Sequence, residues 1–290
     1  MGKRQRPSGV FSDTDSIFLG LGGRRPGVDV LTPDADACQR LVELLESRSV
    51  YAVDVDGEAG RIAYGTRAGT LHVTCWPPEG QNGQPSCQWL QGAPVLTVCW
   101  VGGSHLCSAD TAGRCLLWNA EDPNDPQWLE TEGRIVCSLA RLPNGELAGL
   151  SDEGCLLLWS VSERRLLRYI QGAVPPPKLA LVHLRFWRRQ GLLVYPAENG
   201  RLGMLSPEGV RMQYVDAHRG PFYVVLPVPE GLLTVGEEDR HAKLWDSLPG
   251  GPRWQAMVPW SRPIVSGWPL GFQTGSVLLI DREGTAGLFE

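Results

Sequence analysis

The sequence predicts an all-β fold: a seven-bladed ring of four-stranded antiparallel blades, with the last blade either incomplete or closed by the N-terminus. Three observations predict it. A meander of three short apolar runs recurs along the chain, and its endpoints fall near residues 32, 74, 118, 159, 205, 245 and 289, a spacing of 40 to 46. Three of those endpoints are tryptophans, Trp118, Trp159 and Trp245. Finally, 35 glycines and 23 prolines in 290 residues imply many tight turns, while 42% apolar residues imply a packed core.

The clearest unit is residues 218–246, HRGPFYVVLPVPEGLLTVGEEDRHAKLWD. It reads as an apolar run, a Pro-Glu-Gly turn, a second run, a polar turn, and a third run ending in Trp245-Asp246. Residues 95–118 and 135–159 repeat the pattern and end in Trp118 and Trp159. Residues 51–74, 181–205 and 264–289 follow it with Thr74, Leu205 and Phe289 in the terminal slot, and the N-terminal stretch fits more loosely. A fourth-strand candidate lies between units: CQRLVELLES, CQWLQG, PQWLET, RRLLRYIQG, VRMQYVDAH and PRWQAMV. Trp89, Trp128 and Trp254 in these segments suit packing between outer strands.

One blade cannot bury both faces, whereas stacking blades around an axis does. The chain is accordingly read as one domain, residues 1–290, with blades over about 6–46, 50–92, 94–131, 134–172, 178–217, 218–258 and 262–290. This is a seven-bladed β-propeller. The last blade shows three strands, so its fourth would come from the N-terminal residues or stay absent.

The segments HRGPFYVV, EEDRHAKLWD, CSADTAGRCLLWN and GLSDEGCLLLWS resemble WD-repeat (tryptophan-aspartate repeat) propellers, over essentially the full chain. The resemblance implies a structural hydrogen-bond network joining a His, an Asp, a Ser or Thr and the Trp. His218, Asp239, Trp245 and Asp246 match in 218–258, with Thr234 one residue upstream of the hydroxyl slot. Ser108 and Trp118 match in 94–131, where Ala112 fills the Asp slot. Trp159 matches in 134–172, with Glu153 in the Asp slot and Gly149 in the hydroxyl slot. The complete Trp-Asp dipeptide occurs once, so packing and turns carry the divergent ring.

Composition narrows the function. The net charge of −5 gives no general attraction for nucleic acid. No stretch is long and apolar enough for a membrane span. The basic N-terminus lacks an apolar signal core, and Arg6 stands where a myristoylation signal wants Ser or Thr, so the expected location is cytoplasmic. The eight cysteines have no metal-type spacing, and Cys99, Cys107 and Cys115 are read as small buried residues on three adjacent strands. No HExxH, GxSxG or P-loop context occurs, and His183 is read as an interior histidine near the channel. No catalytic residue, metal or cofactor is expected.

Charge is segregated. Residues 160–220 hold ten basic and four acidic residues, a segment of +6 against −11 elsewhere. Residues 120–155 hold eight acids and two arginines. Blade geometry puts the turns bearing Arg164, Arg165, Arg188 and Arg189 on one face. Phe186 takes the core slot, so Trp187 is expected at least partly exposed, and a tryptophan beside arginines has the composition of a binding hot spot. The expected function is a non-enzymatic protein–protein scaffold or adaptor subunit of a multiprotein complex. An acidic segment of a partner would dock on Arg164, Arg165, Trp187, Arg188 and Arg189. Two other classes remain in view, a propeller enzyme with a site at the channel mouth and a small-molecule or phosphate-sensing module.

Overall fold

The structure, a computed structural model, describes residues 50–56, 59–75, 87–122, 124, 126–176, 183–209, 212–248, 250–257, 264–269, 277–281 and 286–289. Their strands form six antiparallel sheets, each a simple meander. Sheet I holds β1 (Val50–Asp56), β2 (Arg61–Thr66), β3 (Thr70–Cys75) and β4 (Cys87–Leu90). Sheet II holds β5 (Val95–Gly102), β6 (His105–Asp110), β7 (Cys115–Asn119) and β8 (Gln127–Trp128). Sheet III holds β9 (Val136–Arg141), β10 (Glu146–Ser151), β11 (Leu156–Ser160) and β12 (Arg165–Ile170). Sheet IV holds β13 (Arg185–Trp187), β14 (Leu192–Pro196), β15 (Arg201–Leu205) and β16 (Met212–Asp216). Sheet V holds β17 (Phe222–Val228), β18 (Gly231–Gly236), β19 (His241–Trp245) and β20 (Trp254–Met257). Sheet VI has three described strands, β21 (Ile264–Pro269), β22 (Val277–Asp281) and β23 (Ala286–Phe289).

The first strand of each sheet packs against the first strand of the next, from β1 through β5, β9, β13 and β17 to β21. The ring then closes, because β21 packs against β1. This corrects the seven-bladed expectation. Among the described residues there are five four-stranded blades and a three-stranded sixth sheet, and the β21–β1 contact leaves no gap for another blade. The blade expected at 6–46, and the closure expected from the N-terminal residues, lie outside the described residues.

The core lies between sheets. Ala63, Leu71 and Trp89 of sheet I interdigitate with Trp100, Leu116 and Trp118 of sheet II, and the Trp89 and Trp118 rings are 5.5 Å apart. The opposite face of sheet II, with Cys99, Cys107, Cys115 and Leu117, packs on Leu139, Leu147 and Trp159 of sheet III. The other face of sheet III meets Leu184, Leu193 and Leu205 of sheet IV. Val194 and Leu202 then meet Val225 and Trp245 of sheet V, and Val224, Leu233 and Val235 meet Val277 of sheet VI. Successive side chains of a strand point to opposite faces, so an inner strand serves two cores. The cysteines take the expected role: Cys99, Cys107 and Cys115 sit on β5, β6 and β7, and Cys99 pairs directly with Cys107.

Packing between sheets also explains a glycine. A Cβ on Gly149 would lie 2.6 Å from the Trp159 ring and 3.2 Å from Val136 Cγ1, so the indole occupies the missing side chain's space. Gly149→Ala is expected to overpack this junction and cost about 1–3 kcal/mol. A urea midpoint lowered at unchanged m-value would show it.

Candidate functional site

Strand register aligns one internal position in each sheet, two residues past the partner of the terminal slot. Trp118 pairs with Leu106, Trp159 with Leu147, and Trp245 with Leu232. The aligned residues are therefore Ser108, Gly149 and Thr234. By the same rule Thr74 opposite Ile62 aligns Tyr64, and Leu205 opposite Leu193 aligns Tyr195.

Thr234 thus occupies the hydroxyl slot, contrary to the offset expected from the sequence. Thr234 pairs with Lys243, nine residues on, whereas Ser108 pairs with Leu116, eight residues on. One extra residue in the β18–β19 hairpin accounts for the offset. The Trp245 indole N–H donates to Thr234 Oγ1 at 2.9 Å, and Thr234 Oγ1 and His218 Nε2 are 2.8 Å apart. His218 Nδ1 lies 3.1 Å from both oxygens of Asp239. One neutral tautomer satisfies the chain. Nδ1–H donates to the carboxylate, Nε2 accepts from the Thr234 hydroxyl, and that oxygen accepts from the indole.

Sheet II builds the same relay without a histidine. The Trp118 indole N–H donates to Ser108 Oγ at 2.8 Å, and Ser108 Oγ–H donates to Gln91 Oε1 at 2.6 Å. The Gln91 amide then donates to the Arg114 carbonyl at 3.4 Å. Sequence reading missed Gln91 because it looked for a histidine. The available signal was local: Gln91 stands three residues before Pro94, as His218 stands three before Pro221. In sheet III the relay is absent at Gly149, and the Trp159 N–H instead donates to the Glu130 carbonyl at 2.7 Å.

The channel side carries a second set of polar groups. Asp54 Oδ2 on β1 accepts the Trp100 backbone N–H at 2.7 Å, which fastens sheet I to sheet II. Burial pushes its carboxyl up to about 6, opposed by the cation of Arg185 on β13. Burial, and after it the Asp54 charge, raises the Cys99 thiol far above its ordinary range. Burial, and then Arg185, pushes His183 down to about 3. Sheets I and IV stand opposite each other in the ring, so Arg185 acts across the channel. The His183 imidazole is accordingly neutral, and the side chain is half-buried. Among the described residues, no three His, Cys, Asp or Glu side chains gather as metal ligands.

The expected partner-binding residues are only partly brought together. The β11–β12 and β13–β14 hairpins open on the same face by topology. Arg164 is exposed at the first, with a positive φ of 55°, and Arg165 is exposed beside it in an ion pair with Glu163. Arg188 is exposed at the second. Arg189 turns away toward sheet V, where Nη1 donates to the Glu230 carbonyl at 3.1 Å and to Asp246 Oδ1 at 3.3 Å. Asp246 also accepts from Arg253 at 3.2 Å, so the Trp-Asp dipeptide's carboxylate ties hairpins together at the rim. Trp187 corrects the expectation: it is 2% exposed and packs with Val194, Leu202 and Trp245 between sheets IV and V. Phe186 faces the sheet III side instead. β13 is an inner strand with both faces covered, so a core residue at one position does not free its neighbour.

With the geometry established, comparison with known proteins supports the fold. The chain folds as a β-propeller. It is similar to the solved β-propeller domain of Cps50 (Swd1) from Myceliophteria thermophila, at 10% identity and a TM-score of 0.64, with 82% of this chain and 81% of that one covered. It is also similar to the computationally designed Ika8 protein, at 16% identity and a TM-score of 0.54, over 83% of this chain and 70% of that one. No family model and no curated protein matches the chain. Among the described residues, no helix is long and apolar enough to cross a membrane.

The two relays differ in what acid does to them. Burial pushes His218 down to about 4, against the pull of Asp239. Its folded pKa is below the unfolded value of 6.5, so the unfolded chain binds the proton first and stability falls as pH drops from 6.5 to 4. The span corresponds to about 3 kcal/mol. His218→Gln copies the Gln91 relay and removes this term. Stability measured by denaturant at several pH values should move in the variant's favour by up to that amount across the window. A constant difference between the two proteins would contradict it.

Proposed function

We propose that the chain is a divergent propeller of the WD-repeat type that works as a non-enzymatic, cytoplasmic interaction scaffold or adaptor subunit of a multiprotein complex. The observation that carries the reading is the closed ring itself. The inner strands of sheets II to V are committed to two cores, so recognition falls to the rim hairpins, as on other rigid scaffolds. The WD-repeat reading is supported by the Trp245–Thr234–His218–Asp239 relay and its glutamine counterpart in sheet II.

On this reading Arg164, Arg165 and Arg188 receive an acidic segment of a partner. Their planar guanidinium groups suit bidentate contact with carboxylates. Trp187 supports the docking face from beneath as a buried wedge, and Arg189 fixes that face to sheet V through Asp246. A fluorescein-labelled decapeptide rich in Asp and Glu is the probe. Anisotropy titration should show salt-sensitive binding that weakens about tenfold in the R164E/R165E/R188E triple variant. Affinity unchanged by charge reversal would overturn the site.

A further inference from the structure

Among the tryptophans whose side chains the structure describes, Trp128 stands out by its exposure. It lies on β8, the outer strand of sheet II, and was expected to pack between outer strands as Trp89 does. Instead it is 64% exposed, whereas Trp89 is 5% exposed against Trp118. Leu129, the next residue, turns inward and is buried, so the outer strand has one covered face and Trp128 stands on the other. β8 is only two residues long and forms the edge of its sheet, pairing on one side with Leu117 and Leu116 of β7. Because the Leu129 N–H points inward to the Cys115 carbonyl, the alternation of an antiparallel ladder turns the Trp128 backbone groups outward.

The surroundings are acidic on both sides. Exposed Glu121 and Asp122 precede β8 in the hairpin from β7, and exposed Glu130 and Glu132 follow it. No Lys or Arg occurs from Cys115 to Gly133. The arginines bracketing this stretch are engaged elsewhere, Arg114 with Asp110 at 2.7 Å and Arg134 with Glu153. An exposed indole amid carboxylates attracts cations twice, through its ring face and through the field around it. The outward backbone groups of Trp128 are placed to accept an added strand.

We propose that the outer edge of sheet II docks an extended Lys/Arg-bearing segment of a partner protein, which pairs along β8 and lays a cation over the Trp128 ring. This surface is independent of the arginine rim on sheets III and IV and takes a partner of opposite charge. The probe is a fluorescein-labelled octapeptide alternating Arg and Thr, titrated against the full chain by anisotropy. Its controls are the Glu/Thr counterpart and a version N-methylated at alternate backbone positions. The Arg/Thr peptide should bind, and the Glu/Thr peptide should not. Binding should weaken about tenfold in W128A, less in W128Y, and about fivefold in E130Q/E132Q, while E208Q on sheet IV leaves it unchanged. The N-methylated peptide should bind about tenfold more weakly. Absence of binding, equal binding of the two charges, or wild-type affinity in W128A would overturn the docking site. Full affinity of the N-methylated peptide would overturn strand addition. Loss in W128A of a dimer seen by sedimentation would assign the surface to a second copy of this chain, also overturning the proposal. The acidic probe for the arginine rim tests different residues, so either result stands without the other.

Discussion

The structure depends on burial between neighbouring sheets. Among the described residues, sheets II to V each contribute one wall to two cores, so removing any of them would expose apolar faces on both sides. That constraint explains why the inner strands are apolar without clear alternation and why Gly149 must yield its space to Trp159. The ring closes through the same kind of contact between first strands, β21 against β1.

Two sets of polar groups in these cores form complete chains, whereas the buried indole N–H groups of Trp89, Trp100 and Trp187 find no hydrogen-bond partner among the described residues. The Trp–Thr–His–Asp relay of sheet V and the Trp–Ser–Gln relay of sheet II do the same work, giving a buried indole N–H an acceptor. Each continues the donor-to-acceptor direction through a hydroxyl into a planar side chain. Where the hydroxyl slot is glycine, the indole finds a backbone carbonyl instead. The residues that supply an acceptor thus vary from sheet to sheet, so no single polar motif repeats along the chain.

Much of the fold was legible. Period, meander and the outer strands β4, β8, β12, β16 and β20 all follow from short apolar runs between turns. The blade number was not, because it depends on which strands meet at closure, and periodicity carries no information about that contact. Thr234 was misplaced because spacing was counted along the chain rather than across the strand pairing. The tryptophans were misassigned for one physical reason. Alternation distinguishes buried from exposed positions only where one face is covered. On β13 both faces are covered and Trp187 is buried. On β8 one face is covered, and Trp128, two residues from Glu130, emerges on the other. The charge segregation was visible throughout, but its division into a basic rim and an acidic edge needed the sheet order.

The central claim is that the described ring is a single cooperative unit closed between sheets VI and I. Hydrogen exchange of the native protein, followed by mass spectrometry, tests it most directly. If burial between sheets governs stability, amides of the inner strands β1, β5, β9, β13, β17 and β21 open together, with one common free energy. Protection should be as high in β1 and β21 as in β9. Sheets that open independently, or early exchange confined to β1 and β21, would show that the ring is not closed there and would contradict the account.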